Sequence, residues 1–267
     1  MSPKLQPLIL AALLAVLVGT DARAINVQGA TPPDSGTLLR TVDRENGGEG
    51  GIARWTARAI CPSVSGLPAN EAEFILERFS EVARTVGAPL ARERCSPDLY
   101  ILVTADPKAL IKKMERLNRA YTFGCGLRDP GTEASPARIN DFIETAMPVR
   151  RWYNITITDT NGELLCADRY GYKAGWVDAS HLEHNLAWSF YSAFVVVDQT
   201  HLRGVTRGQL ADYVTMVSLA KFRSAHADDA TILKLFDAAP QAAPAGLTDY
   251  DQALLKALYT ADPRSKL

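Results

Sequence analysis

The chain has 267 residues, of which 47% are hydrophobic and 22% are charged, and its formal net charge is −1. Nothing in this charge balance indicates a nucleic-acid partner, which would usually require a strongly basic face. The length is enough for one large domain or two small ones.

The first 24 residues have the three zones of a cleavable secretory signal. Lys4 supplies the positive charge, an apolar run covers residues 8–18, and Ala22 and Ala24 place small side chains where a signal peptidase requires them. The apolar run of about 11 residues is too short to span a bilayer, which takes roughly 20. We therefore expect cleavage after Ala24 and a soluble periplasmic or secreted product without a transmembrane segment.

All four cysteines follow this signal. An even number of cysteines in an exported chain indicates disulfide bonds. Of the three possible pairings we favour Cys61 with Cys95, which would brace a helix, and Cys125 with Cys166, which would clip a loop to a hairpin. A zinc site is the alternative, but the paired C-x-x-C spacing that such sites usually show is absent.

Residues 25–52 are rich in Gly, Thr, Pro and charged side chains. The run Gly47-Gly48-Glu49-Gly50-Gly51 disfavours any regular element, because glycine loses much conformational freedom when it is ordered. We therefore expect a flexible lead-in over residues 25–52 and a single domain over residues 53–267.

The first predicted helix covers residues 70–86. Its apolar side chains recur at helical spacing, and Gly87 followed by Pro89 ends it. We expect Asn70 to be the N-cap, with Glu73 completing a capping box.

A buried strand is predicted over residues 99–104, and Asp106-Pro107 then begins a second helix, since Asp caps helices and Pro suits the first turn. The expected inner face of this helix holds Leu110, Ile111, Met114 and Leu117. The other side is dominated by cations, which are Lys108, Lys112, Lys113, Arg116 and Arg119. Such a face either contacts an anionic lipid or polymer or is simply solvated, and we favour the solvated interpretation.

The middle of the chain changes to β-prone sequence. Residues 149–158 and 163–170 flank Asn161-Gly162, which is a strong hairpin signal. Another strand is expected within residues 188–197, and a helix follows over residues 207–222.

Two more helices are predicted near the end of the chain. The first is short, at residues 231–236, and the second begins at Thr248, with Asp251 three residues further on. Together the elements predict an α+β fold, in which helices pack on an antiparallel or mixed sheet.

The candidate for metal chemistry is the segment Ser180-His181-Leu182-Glu183-His184. On a helix, His181 and His184 would share one face and could hold a metal ion. The spacing differs from the H-E-x-x-H of zinc peptidases, and no third ligand follows at a recognisable distance. A polar surface segment explains these residues as well, so we predict no metal site and no cofactor, and assign no catalytic residue.

Three stretches together resemble a family of uncharacterised exported proteins of Gram-negative bacteria. They are Gly87-Ala88-Pro89 with residues 95–107, residues 208–220, and Thr231-Ile232-Leu233 with residues 246–259. The resemblance covers about residues 70–260 and implies export, but no established activity.

The last of these stretches is also similar, more distantly, to zincin-like peptidases of bacteria. Those proteins end with a Ser/Thr-Ile segment, a loop and an L-T-x-x-D helix, and the preceding helix carries the zinc-binding H-E-x-x-H. Here that helix reads Gln209-Leu210-Ala211-Asp212-Tyr213 and contains no histidine. The resemblance therefore implies a degenerate zincin-like scaffold, which favours a pseudo-enzyme over a peptidase.

The sequence thus predicts a non-catalytic exported protein that binds or scaffolds an envelope protein or polymer. The alternative is a hydrolase or metallopeptidase-like enzyme with an unrecognised site, for which His181, Glu183 and His184 are the candidate residues.

Overall fold

The residues that a computed structural model of the chain describes are 33–45, 53–123, 136–158, 187–222, 231–237 and 239–262. They all belong to one unit, Pro32–Leu267. Within them, helices pack on a four-stranded sheet that contains parallel and antiparallel pairs. The predicted α+β class with a mixed sheet is therefore confirmed.

The elements alternate along the chain. The strands are β1 (Pro62–Ser65), β2 (Leu99–Thr104), β3 (Val149–Thr158) and β4 (Ala187–Asp198). The helices are α1 (Ser35–Glu45), α2 (Ala69–Val86), α3 (Pro107–Phe123), α4 (Pro136–Glu144), α5 (Arg207–Leu219) and α6 (Asp249–Thr260). Among the described helices, none is long and apolar enough to cross a membrane.

The strand order across the sheet is β1-β2-β4-β3. The first three strands in this order are parallel, and β3 runs antiparallel to β4. Helix α2 makes the crossover from β1 to β2 that a parallel pair requires. Strands β2 and β4 are the two central strands of the sheet, and helices cover both faces of the sheet there.

Alternating side chains of the central strands divide the interior into two cores. The larger core lies between the sheet and α2, α5 and α6, and it receives Leu99 and Ile101 from β2. The smaller core lies between the sheet and α3 and α4, and Phe194, Val196 and Trp152 enter it from β4 and β3. The apolar run of β4 is continuous because this strand is buried on both sides.

Helix α1 lies inside the segment that we expected to be a flexible lead-in, residues 25–52. Its first turn is capped by Asp34, whose carboxylate accepts hydrogen bonds from the Thr37 amide at 3.1 Å and the Thr37 hydroxyl at 2.6 Å. These bonds hold the pKa of Asp34 below its usual value. Leu38 and Leu39 are buried in the larger core, where α1 packs against α6.

The predicted cap of α2 is wrong. The helix begins at Ala69 after Pro68, and no side chain caps it. The Pro68 carbonyl accepts from the amides of Glu71 and Ala72, so the backbone itself closes the first turn. Asn70 is therefore already inside the helix.

Two other predicted caps are confirmed. Asp106 accepts a hydrogen bond from the Ala109 amide at 2.9 Å at the start of α3. Thr248 and Asp251 form a capping box at the start of α6. In both cases the local sequence pattern is sufficient because the cap involves only residues three positions apart.

The other predicted elements differ in detail. Leu117 does not lie on the inner face of α3, since it is 75% exposed. Helix α5 ends at Leu219 because the extended residue Ala220 bridges to Arg54. The short helix at 231–236 is a single 3-10 turn, Ile232–Lys234. Strands β3 and β4 are as predicted, whereas the hairpin turn after β3 and the strand at 163–170 lie outside the described residues.

Candidate functional site

Helix α5 is the element in which the resemblance to zincin-like peptidases would place the catalytic residues. All its residues from Gln209 to Leu219 are buried. A capping box between Thr206 and Gln209 closes its first turn. The polar side chains of this helix therefore face protein on all sides, and their partners decide what they can do.

The side-chain amide of Gln209 is fully engaged. Its oxygen accepts a hydrogen bond from the Thr206 amide at 3.0 Å. Its nitrogen donates to the carbonyls of Pro240 and Pro244, at 2.9 Å and 3.0 Å. Gln209 thus fastens the proline-containing connection before α6 onto the start of α5.

Asp212, one turn further along α5, is a buried carboxylate that forms an ion pair with the half-buried Arg78 of α2. Its carboxylate accepts from Arg78 Nε at 2.5 Å and Nη2 at 3.2 Å, and from the Leu247 amide at 2.8 Å. The hydrogen bond to Asp212 raises the pKa of Arg78 above its ordinary value. Gly246 makes this contact possible, because a Cβ there would lie only 2.4 Å from Asp212 Oδ2.

Asp251 is the centre of a second buried set of hydrogen bonds, which we call the α6 clasp (Thr231, Ile232, Thr248 and Asp251). Its carboxylate accepts from the Thr231 hydroxyl, from the Ile232 amide at 2.9 Å, and from the amide and hydroxyl of Thr248, both at 3.0 Å. Burial raises the pKa of Asp251, although these hydrogen bonds act in the opposite direction. The clasp joins the segment after α5 to the first turn of α6.

The other end of α5 is satisfied by side chains from elsewhere in the fold. The last carbonyls of a helix have no partner within it. Here three aromatic side chains donate to them, namely the Tyr153 hydroxyl to Val217 at 2.6 Å, the Trp55 indole to Ser218 at 2.8 Å and the Tyr259 hydroxyl to Leu219 at 2.6 Å. Burial raises the pKa of Tyr259, so its hydroxyl stays protonated and remains a donor.

A second polar cluster lies at the carboxyl end of β4, the edge at which open α/β sheets often bind ligands. Asp198 accepts hydrogen bonds from the Thr200 amide at 2.9 Å and the Thr200 hydroxyl at 2.6 Å. The His201 ring nitrogen Nδ1 is 3.4 Å from Asp198 Oδ2 and 3.3 Å from Thr200 Oγ1. In a catalytic triad the acid and the nucleophile contact different ring nitrogens, so this arrangement is not a triad.

Arg150 lies near this cluster and is buried. Its Nε donates to the Thr145 carbonyl at 2.8 Å, just past the end of α4, and its Nη1 has no partner among the described residues. Burial raises the pKa of Asp198, but the bonds from Thr200 and the charges of His201 and Arg150 outweigh that effect and lower it. Asp198 therefore caps the 3-10 turn Gln199–His201 that follows β4.

The structure describes two of the predicted site residues. Cys61 and Cys95 form a disulfide, with their Cα atoms 5.9 Å apart, so this favoured pair is confirmed. Cys125 and Cys166 lie outside the described residues. The metal candidates His181 and His184 lie outside them too. In the part of the chain that is described, no group of three His, Cys, Asp or Glu side chains could hold a metal ion.

Sequence reasoning missed the pair of Arg78 and Asp212. The available signal is that Asp212 lies in a run of residues that are otherwise mostly apolar or small, and a buried carboxylate needs a cation or several donors. Its partner is 134 residues away in the chain, so no local pattern identifies Arg78.

No protein-family model, curated protein or solved structure matches the chain. The motifs behind the sequence resemblance nevertheless have defined places in the fold. Thr231, Ile232, Thr248 and Asp251 form the α6 clasp, and the Leu247 amide binds Asp212. These motif residues hold α5 and α6 together.

Proposed function

We propose that this chain is an exported, non-catalytic protein that binds or scaffolds an envelope protein or polymer. The observation that carries the proposal is the burial of α5 and the engagement of two of its polar side chains. The helix that corresponds to the metal-binding helix of zincin-like peptidases is buried here, and its side chains Gln209 and Asp212 are bound to other parts of the same chain.

The reason is chemical. A metal ligand must offer a free lone pair, and a catalytic metal site keeps one coordination position open to substrate. The oxygens of Asp212 are engaged by Arg78 and the Leu247 amide, and the side-chain oxygen of Gln209 accepts a hydrogen bond from the Thr206 amide. Releasing either side chain would leave buried groups without partners, which is costly. These features favour a structural role for α5.

Two observations support export. The first is the signal-like segment that ends at Ala24. The second is the bond between Cys61 and Cys95, since disulfides persist in oxidising compartments and are rare in reducing ones. An envelope location in turn makes an envelope component the natural partner.

The test is the metal content of the mature protein purified from the periplasm, together with His181→Ala and His184→Ala. His201→Ala is the matched control, because His201 is an exposed histidine that does not belong to the candidate segment 180–184. We expect no stoichiometric metal in any of the four proteins. One metal ion per chain that is lost in the first two variants and kept in the control would instead establish the metallopeptidase-like alternative.

A further inference from the structure

Helix α3 has an exposed face on which every charged side chain is a cation. Its exposed positions between Pro107 and residue 118 are Lys108, Ala109, Lys112, Lys113, Arg116 and Leu117. The half-buried Glu115 lies at the border of this face and has an interaction of its own. We call the exposed set the α3 basic face.

The positive charge of the α3 basic face is only partly neutralised. Lys108 and Lys112 share a single carboxylate, that of Glu144 on α4, with Lys112 Nζ at 3.2 Å from it. Lys113 and Arg116 form no ion pair within the described residues. Like charges four positions apart, as in the row 108, 112 and 116, destabilise a helix unless an anion lies against them.

Leu117 is the second feature of this face. At 75% exposed it is the most exposed large apolar side chain of the described residues, and it lies one turn after Lys113 and next to Arg116. Its periodicity would have suited the core, but among the described side chains of α3 it is Leu110, Ile111 and Met114 that contact the smaller core. An apolar side chain flanked by cations is the pattern of helices that lie in a membrane interface.

The exposed side of helix α2, which lies across the sheet from α3, has a net negative charge. It carries Glu73, Glu77 and Glu81 against a single exposed cation, Arg84. Of these, Glu81 pairs with Arg78. An anionic surface would therefore attract one side of the sheet and repel the other, which orients the molecule with α3 toward that surface.

We propose that the α3 basic face docks on an anionic phospholipid surface, with Leu117 entering the interface between headgroups and acyl chains. This names the partner within the proposed envelope function, and it rests on the export part of that proposal but not on the absence of catalysis. Lipid is favoured over an anionic polymer because a polymer would bind the cations but would give Leu117 no apolar medium to enter.

The experiment measures partition of the full mature protein onto vesicles of phosphatidylcholine containing phosphatidylglycerol, with pure phosphatidylcholine vesicles and a soluble polyanion in parallel. Each basic residue near an anionic membrane contributes roughly five-fold in affinity, so Arg116→Gln alone should weaken partition about five-fold, and Lys113→Gln with Arg116→Gln about 30-fold. Leu117→Gln should weaken it about three- to ten-fold. All three positions are exposed, so these variants should fold.

Arg84→Gln is the matched control, because Arg84 is an exposed cation on α2 and its removal changes the net charge by the same amount as Arg116→Gln. We expect the control to bind like the unmodified protein, and binding to fall at high salt. Equal loss in the control, no preference for phosphatidylglycerol, or binding to the polyanion with no effect of Leu117→Gln would each overturn the proposal. Metal analysis of the same samples is independent of these outcomes, so failure of the docking proposal is distinguishable from failure of the proposed function.

Discussion

Replacement of Asp251 should show how strongly the α6 clasp holds the fold together. Asp251→Ala removes the acceptor at the start of α6, and such a cap contributes about 1 kcal/mol. It also leaves the Thr231 hydroxyl and the Ile232 amide without their acceptor in a fully buried site, at about 1 to 3 kcal/mol each. We expect the free energy of unfolding to fall by about 3 to 5 kcal/mol in total, allowing for some local rearrangement.

Asp251→Asn is the matched control because its shape is the same. The remaining oxygen can accept the bonds from Ile232 and Thr248, and the amide nitrogen can donate to the Thr231 hydroxyl. We therefore expect this variant to lose less than about 1 kcal/mol at neutral pH.

The two proteins should also differ in their dependence on pH. Burial raises the pKa of Asp251 in the folded state above the unfolded value of about 3.9. A raised carboxyl pKa contributes stability that is fully present below pH 3.9 and is lost as the pH rises through the folded-state pKa. The unfolding free energy of the natural protein, relative to Asp251→Asn, should therefore decrease as the pH rises above about 4.

Urea unfolding monitored by tryptophan fluorescence measures the loss of unfolding free energy in each variant. A series of pH values gives its pH dependence. A loss of less than about 1 kcal/mol in Asp251→Ala would contradict the hydrogen bonding described for the α6 clasp. Equal instability of Asp251→Asn and the alanine variant would contradict it too, because the clasp would then not consist of the hydrogen bonds described.

Three further predictions concern the other connections of the fold. Tyr153→Phe leaves a buried carbonyl of α5 without a donor, so urea unfolding should show a loss of about 1 to 3 kcal/mol, and an unchanged midpoint would contradict this. Replacing Cys61 and Cys95 together by Ser opens a loop with a sequence separation of 34, which should cost about 3 to 4 kcal/mol, and dithiothreitol should then have no further effect on that loop. Calorimetry should show that Arg78→Met is more destabilising than Asp212→Asn. The first variant leaves the Asp212 carboxylate, which is only 6% exposed, without its cation, whereas Arg78 is 31% exposed and can be hydrated when it is alone. The reverse order would contradict the described burial.

Much of the fold was predictable because its signals are local. Alternation and β-branched residues identify β3, and the short apolar run of residues 194–197 identifies β4. Asp106 and Thr248 mark the starts of α3 and α6 within a few residues. Helix α1 was missed because glycines follow it and because its burial depends on α6, more than 200 residues later. The strand order was not predictable either, since β1 has only four residues and pairs in parallel with a strand more than 30 residues away.

The candidate site was predictable only in part. The spacing of Thr248 and Asp251 identifies a capping box, but the bond from Asp251 to Thr231 depends on how two segments meet in space. The absence of histidine from α5 is visible in the sequence. What the sequence does not reveal is that Gln209 and Asp212 serve as attachment points for the connection to α6.

We propose that α5 is the structural centre of the domain rather than a catalytic element. Catalytic and ligand-binding elements tend to come from the less stable parts of a fold, whereas core elements open only when the whole domain unfolds. Backbone amide hydrogen exchange, followed by NMR at several low urea concentrations, separates these cases. We predict that the amides in the second half of α5 exchange only through global unfolding, as slowly as those of β2 and β4. Exchange of α5 through local opening, faster than the central strands and insensitive to urea, would contradict the account.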